Sequence, residues 1–155
     1  MDKTEIQKLI KELIEKLNIS VSEVSILENE PNTIWLKADV AEPHLFTSRE
    51  GEALMALNHL AHRIIETKTS KDVAMPQFLI DVNDFQKKKV DAIRAVAHMM
   101  AERARYFKAN VNIDPMSAFE RRIVHEFLSN ETDLKTESAG FGPTRHVVIQ
   151  YLGAI

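Results

Sequence analysis

The chain has no cysteine. That absence excludes disulfides, thiolate zinc sites, iron-sulfur clusters and cysteine nucleophiles together, and it fits a reducing compartment. No apolar run approaches the roughly eighteen residues of a membrane-spanning helix, and Met1-Asp2-Lys3-Thr4 leads into an amphipathic repeat rather than a secretory signal. A cytoplasmic protein without membrane insertion is the expectation. No phosphate-binding Gly-x-x-x-x-Gly-Lys loop, no His-Glu-x-x-His pattern and no nucleophile with a partnered base can be found. His59 and His62 stand three apart without a third ligand nearby, and the reading as surface or half-buried histidines wins. Enzymatic function has no positive support, so no catalytic residue, metal site or cofactor is expected.

What is present suffices for one ordinary domain or two small ones: 155 residues, 45% of them hydrophobic. The net charge of −3 hides an asymmetry, because residues 1–83 carry 9 Lys/Arg against 14 Asp/Glu while residues 84–155 carry 11 against 9. Only the second part leans basic, as a phosphate-binding surface would.

Periodicity orders the elements. Ile6, Leu9, Ile10, Leu13, Ile14 and Leu17 form a helical stripe behind a candidate N-cap, Asp2. Strands are predicted at 23–28 and 33–40, joined by the turn Asn29-Glu30-Pro31-Asn32. A helix follows Ser48-Arg49-Glu50-Gly51 to about Glu66, burying Leu54, Leu57, Leu60 or Ala61, and Ile64. A third strand at 77–82 leads to a long helix, capped by Asn83 or Asp84 and running to about Lys108, that buries Phe85, Ile93, Ala97, Met100, Ala104 and Phe107. A brief strand at 111–113, a helix at 117–129 and two strands at 134–138 and 145–151 around Gly140-Phe141-Gly142-Pro143 complete the chain. Strands, hairpins and helices in this order argue for an α+β fold.

The helix at 117–129 carries the most informative pattern. Phe119, Ile123, Val124 and Phe127 fall on one arc, and Arg121, Arg122, His125 and Ser129 on the opposite one. Arg121 and His125 are one turn apart and could hold a single anionic group, a phosphate above all. On spacing alone, a solvated basic face is the competing reading.

The run Asp114-Pro-Met-Ser-Ala-Phe-Glu-Arg-Arg-Ile-Val-His-Glu-Phe-Leu, followed by the stretch from Thr136 to Ile149, resembles the R-3-H domain, named for its Arg-x-x-x-His motif, here Arg121 and His125. A KH-like unit followed by an R-3-H unit is the order of the bacterial Jag family, also called SpoIIIJ-associated proteins. The resemblance covers nearly the whole chain. It implies a type II KH-like domain at 1–83 and an R-3-H domain at 84–155, joined by the long helix, and binding of single-stranded RNA or single-stranded DNA. It further implies a regulatory role, with a second KH protein or a second copy of the chain as partner. Jag proteins commonly carry an additional N-terminal domain, whereas this chain begins at the KH helix.

In KH domains a Gly-x-x-Gly loop clamps the nucleic-acid backbone, because glycine lets the main chain approach sugar and phosphate. Here the loop reads Ser48-Arg49-Glu50-Gly51, with the first glycine replaced and one acidic position, so either a weakened RNA contact through Ser48, Arg49 and Gly51 or a turn kept for folding fits it. Lys88, in the cluster Lys87-Lys88-Lys89 at a helix start, is a further candidate phosphate contact beside the reading as a solvated face. Arg145 is placed by the resemblance near the Arg/His surface. The full candidate set is therefore Arg121, His125, Arg122, Arg145, Arg49, Gly51, Ser48 and Lys88. The rival function is a protein-interaction or dimerisation module whose KH unit has lost nucleic-acid binding.

Overall fold

A computed structural model describes residues 1–30, 33–70, 73–75 and 77–153. The elements are α1 (Lys3–Lys16), β1 (Val21–Glu30), β2 (Thr33–Val40), α2 (His44–Lys68), β3 (Phe78–Val82), α3 (Phe85–Phe107), β4 (Val111–Asn112), α4 (Ala118–Leu128), β5 (Leu134–Ala139) and β6 (His146–Tyr151). Of the predicted turn, Asn29 and Glu30 extend β1, while Pro31 and Asn32 lie outside the described residues. The fold is α+β. It divides into two compact units, Met1–Lys87 and Lys88–Ile155, with the division inside α3.

In the first unit, α1 starts on a reciprocal cap: the Asp2 carboxylate accepts from the Glu5 amide at 2.8 Å and the Glu5 carboxylate accepts from the Asp2 amide at 2.8 Å. Its Ile6, Ile10 and Ile14, spaced four apart, are fully buried. The sheet order is β1-β2-β3, with β1 and β2 antiparallel and β2 and β3 parallel through α2, the kind of connection that needs a crossover helix. That helix is broken: Ser48 is extended (φ −62°, ψ 157°), and Arg49, Glu50 and Gly51 are left-handed at φ 51°, 59° and 79°. The predicted helix after Ser48-Arg49-Glu50-Gly51 is thus present as the second half of α2, burying Leu54, Leu57, Ala61 and Ile65. Leu60 points outward, and Ile64 is half-buried, because the buried stripe runs one residue further round.

The start of α3 departs from expectation. Beyond the expected Asn83 and Asp84, its first turn is held by Asp81, a residue of β3 that is only 2% exposed. The Asp81 carboxylate accepts hydrogen bonds from the amides of Val82 and Gln86 at 2.8 Å and of Lys87 at 3.0 Å. Burial pushes this carboxyl above its ordinary pKa, and the amide donors pull the other way. Asn83 instead pairs with both main-chain groups of Val40, and Asp84 with Lys37 at 2.9 Å.

The second unit has sheet order β4-β6-β5, antiparallel throughout. Ala97, Ala101 and Ala104 of α3 pack with Ile113, Val124, Leu128, Leu134, Val147 and Ile149 into its core. Small residues at that spacing let helix and sheet approach closely. Phe107, expected in this core, is 62% exposed, because the alanine stripe leaves it on the outer side at the helix end.

Removing the Asp81 acceptors leaves one buried and two part-buried amides without this partner, so Asp81→Ala is expected to destabilise the protein by about 2 kcal/mol. Denaturant unfolding monitored by Trp35 fluorescence checks it, and an unchanged midpoint would contradict the capping role.

Candidate nucleic-acid interface

Helix α4 begins on a second reciprocal cap, with the Ser117 hydroxyl accepting from the Glu120 amide at 3.3 Å and the Glu120 carboxylate accepting from the Ser117 amide at 2.7 Å. Lys89 adds an ion pair to Glu120 at 3.8 Å. The buried side is Ile123, Val124 and Leu128. Phe119 and Phe127, expected there, are 40% and 39% exposed and flank this strip, because a short helix against a small sheet buries a narrower arc than the four residues span.

That rotation changes the setting of the Arg/His pair. His125 does not face open solvent; it is half-buried over β5, with Nδ1 2.7 Å from the Thr136 hydroxyl and Nε2 3.1 Å from the Ser138 hydroxyl. Hydroxyls donate or accept as required, so both contacts suit either tautomer. Thr136 and Ser138 pair across the sheet with the buried Ile149 and Val147. The histidine therefore closes the polar margin of the core. A phosphate cannot take either ring nitrogen without displacing a hydroxyl.

Arg121 is half-buried too, and its Nη1 donates to the Met116 carbonyl at 2.8 Å. The Met116 amide in turn donates to the Arg145 carbonyl at 3.2 Å, and Arg145 Nη1 donates to the Gly140 carbonyl at 3.3 Å. Arg121, Arg145 and the β5–β6 turn are thus linked through Met116. Arg145, which directly precedes β6, is half-buried.

Carboxylates compensate several other cations of this unit. Arg122 pairs with Glu126 at 2.9 Å, and Lys135 with Glu137 at 2.9 Å. Arg105 is clasped by Asp133 at 2.6 Å, Glu131 at 2.5 Å and Glu102 at 2.7 Å. Among the described residues no carboxylate pairs with Arg121 or Arg145; main-chain carbonyls hold them in place and leave their charge uncancelled. A guanidinium held in this way keeps donors that an external anion could take.

Lys88 is exposed at the division of the units. Ser48, Arg49 and Gly51 belong to the first unit, where the Ser48 hydroxyl donates to the His44 carbonyl at 2.6 Å and exposed Arg49 lies 4.0 Å from Glu52. Gly51 is buried, and a Cβ there would come 2.7 Å from the Phe85 ring, so its glycine answers to packing as well as to its positive φ. His62 stacks on Phe78 at 3.9 Å, with Nε2 3.0 Å from that residue's carbonyl. Thr136 and Ser138 are the site residues that spacing on α4 does not reveal. Their signal is the alternation that puts both hydroxyls on one face of β5.

Residues 91–151 match the R-3-H domain, which places Arg121, His125, Thr136, Ser138 and Arg145 inside the matched segment. That segment is similar to the R-3-H domain, and the chain resembles the Jag family. It is similar to the RNA-binding protein KhpB of Clostridium symbiosum (24% identical, covering 92% of this chain and 63% of the relative). The same holds for the KhpB proteins of Streptococcus pneumoniae (27%, 94% and 43%) and Bacillus subtilis (24%, 93% and 68%). The chain therefore spans less than two thirds of the length of the first two relatives. Among the described residues no helix is long and apolar enough to cross a membrane.

The Arg105 clasp fixes the start of β5 and generates an acid sensitivity. Hydrogen bonding from Arg105 holds the Asp133 carboxyl below its ordinary value, and Lys135 does the same for Glu137. A carboxyl lowered in the folded state stabilises the fold above its unfolded pKa of roughly 4, and that contribution is lost as pH falls toward the folded value. The thermal midpoint is expected to drop on acidification below about pH 4, less steeply in Asp133→Asn than in the native chain; parallel curves would contradict the assignment.

Proposed function

We propose that this chain binds single-stranded nucleic acid, RNA foremost and single-stranded DNA by the same contacts, through the edge formed by α4, the β5–β6 turn and Arg145. The observation that carries the reading is the pair of carbonyl-held, carboxylate-free arginines, Arg121 and Arg145, beside the His125-Thr136-Ser138 cluster. In this reading the arginines take phosphate oxygens as bidentate donors, and the hydroxyls add shorter donors once the strand is seated. His125 positions the hydroxyls and contributes a ring donor when one of them turns to the phosphate. Arg122 and Lys88 supply peripheral attraction, and the first unit, read as a type II KH-like domain, contributes Arg49 at most. The similarity to proteins named RNA-binding protein KhpB supports RNA as the strand; a regulatory, non-enzymatic role in the cytoplasm belongs to the same proposal. No cofactor is invoked.

The interaction-module reading is kept for the first unit, which is acidic and displays exposed Leu45, Met55 and Leu60 on α2. A second KH protein or a second copy of this chain is the partner it proposes.

Phosphate contacts release counterions, so binding of a short unstructured RNA is expected to weaken linearly on a log-log plot against salt. Arg121→Ala and Arg145→Ala should each weaken binding and lower the slope by about 0.7 to 1, and the double change Arg121→Ala/His125→Ala should remove most of it. An unchanged slope in all three would sink the assigned site, and no binding at low salt would favour the interaction module.

A further inference from the structure

We propose that Phe141 is a stacking platform for an unpaired nucleobase, seated beside the phosphate-binding arginines. The inference rests on the nucleic-acid reading above and adds to it a second kind of contact. Phe141 is 88% exposed, more than any other large apolar side chain among the described residues. Leaving a phenylalanine in water at a hairpin tip forfeits the burial that such a ring ordinarily gains.

The turn that carries it is built rigidly. The Phe141 carbonyl accepts from both the amide and the hydroxyl of Thr144, at 3.2 and 2.8 Å, and the Gly142 carbonyl accepts from the Arg145 amide at 3.2 Å. Gly142–Thr144 close a short 3-10 turn, with Pro143 restricting it. Gly140 has φ +87°, and a Cβ there would lie 2.9 Å from the Thr144 carbonyl oxygen, so the chain closes tightly on itself just before the ring. Phe141 itself is extended at φ −133° and ψ 142°, projecting from a fixed frame.

That frame is continuous with the phosphate site. Arg145 Nη1 holds the Gly140 carbonyl, the Arg145 carbonyl takes the Met116 amide, and the Met116 carbonyl takes Arg121. A strand whose phosphates lie on the two arginines therefore runs next to the ring. Phenylalanine offers a π face without hydrogen-bonding groups, so the contact would accept any base and favour the larger purine face. It requires an unstacked base, which discriminates single strands from duplexes.

The test compares two ligands on the full chain: a short adenine-rich single-stranded RNA, and a strand of equal length that keeps its phosphates but lacks bases. Phe141→Ala is expected to weaken the base-bearing strand about tenfold, leaving the abasic strand and the salt slope unchanged, while Phe141→Trp retains full affinity. An unchanged thermal midpoint verifies that the exposed position leaves folding intact. Equal loss on both strands, or loss on neither, would falsify the platform. So would a Phe141→Ala variant that keeps its RNA affinity and loses self-association, since the ring would then serve a protein contact. The underlying reading fails separately, if Arg121→Ala/His125→Ala leaves both strands bound as before.

Discussion

The polar edge of the second unit depends on one ring. His125 reaches from α4 to two hydroxyls on β5, and each of its nitrogens is occupied within 3.1 Å. This fixes the helix against the strand at the rim of the core, where Ile149 and Val147 stand opposite the same two hydroxyl residues. It also sets which side of α4 remains for a ligand. Arg121, one turn earlier, is turned to the Met116 carbonyl and so toward Arg145. The Arg-x-x-x-His spacing thus describes a division of labour in this chain: the arginine keeps an uncancelled charge, and the histidine holds the geometry around it.

The distribution of ion pairs supports that division. Carboxylates cancel the guanidinium charges of Arg105 and Arg122, where they brace the fold or the helix surface, and are absent from Arg121 and Arg145 among the described residues. Arg121 and Arg145 thereby leave uncancelled positive charge beside α4. The net charge of −3 is compatible with this, because binding responds to the local field and not to the sum over the chain. The first unit follows a different logic. Its loop at Ser48 holds two non-glycine residues in the left-handed region, each at a cost of about 1 kcal/mol or more, which the packing of Gly51 against Phe85 and the burial beyond it offset.

Much of this architecture can be read from the chain alone, and the departures share a cause. The order of elements, the Asp2 cap, the turn at Ser48 and the neighbouring Arg121 and His125 follow from local periodicity and capping chemistry, which act within a few residues. Asp81 escapes such reasoning as a cap because it lies inside β3 and reaches forward five and six residues to the amides it satisfies. Thr136 and Ser138 escape it as partners of His125 because eleven and thirteen residues separate them, so only the packing of α4 on the sheet brings them together. Phe119, Phe127 and Phe107 depart from their expected burial because periodicity gives the direction of an apolar arc and not its width. A small sheet and an alanine stripe narrow it.

The assigned edge can be tested by titrating the isotope-labelled chain with a short single-stranded RNA and following amide and arginine side-chain NMR shifts residue by residue. The largest changes are expected on Arg121, His125, Thr136, Ser138 and Arg145, with the β5–β6 turn moving alongside. Changes concentrated on Ser48 to Gly51, with the α4 edge silent, would contradict the assignment.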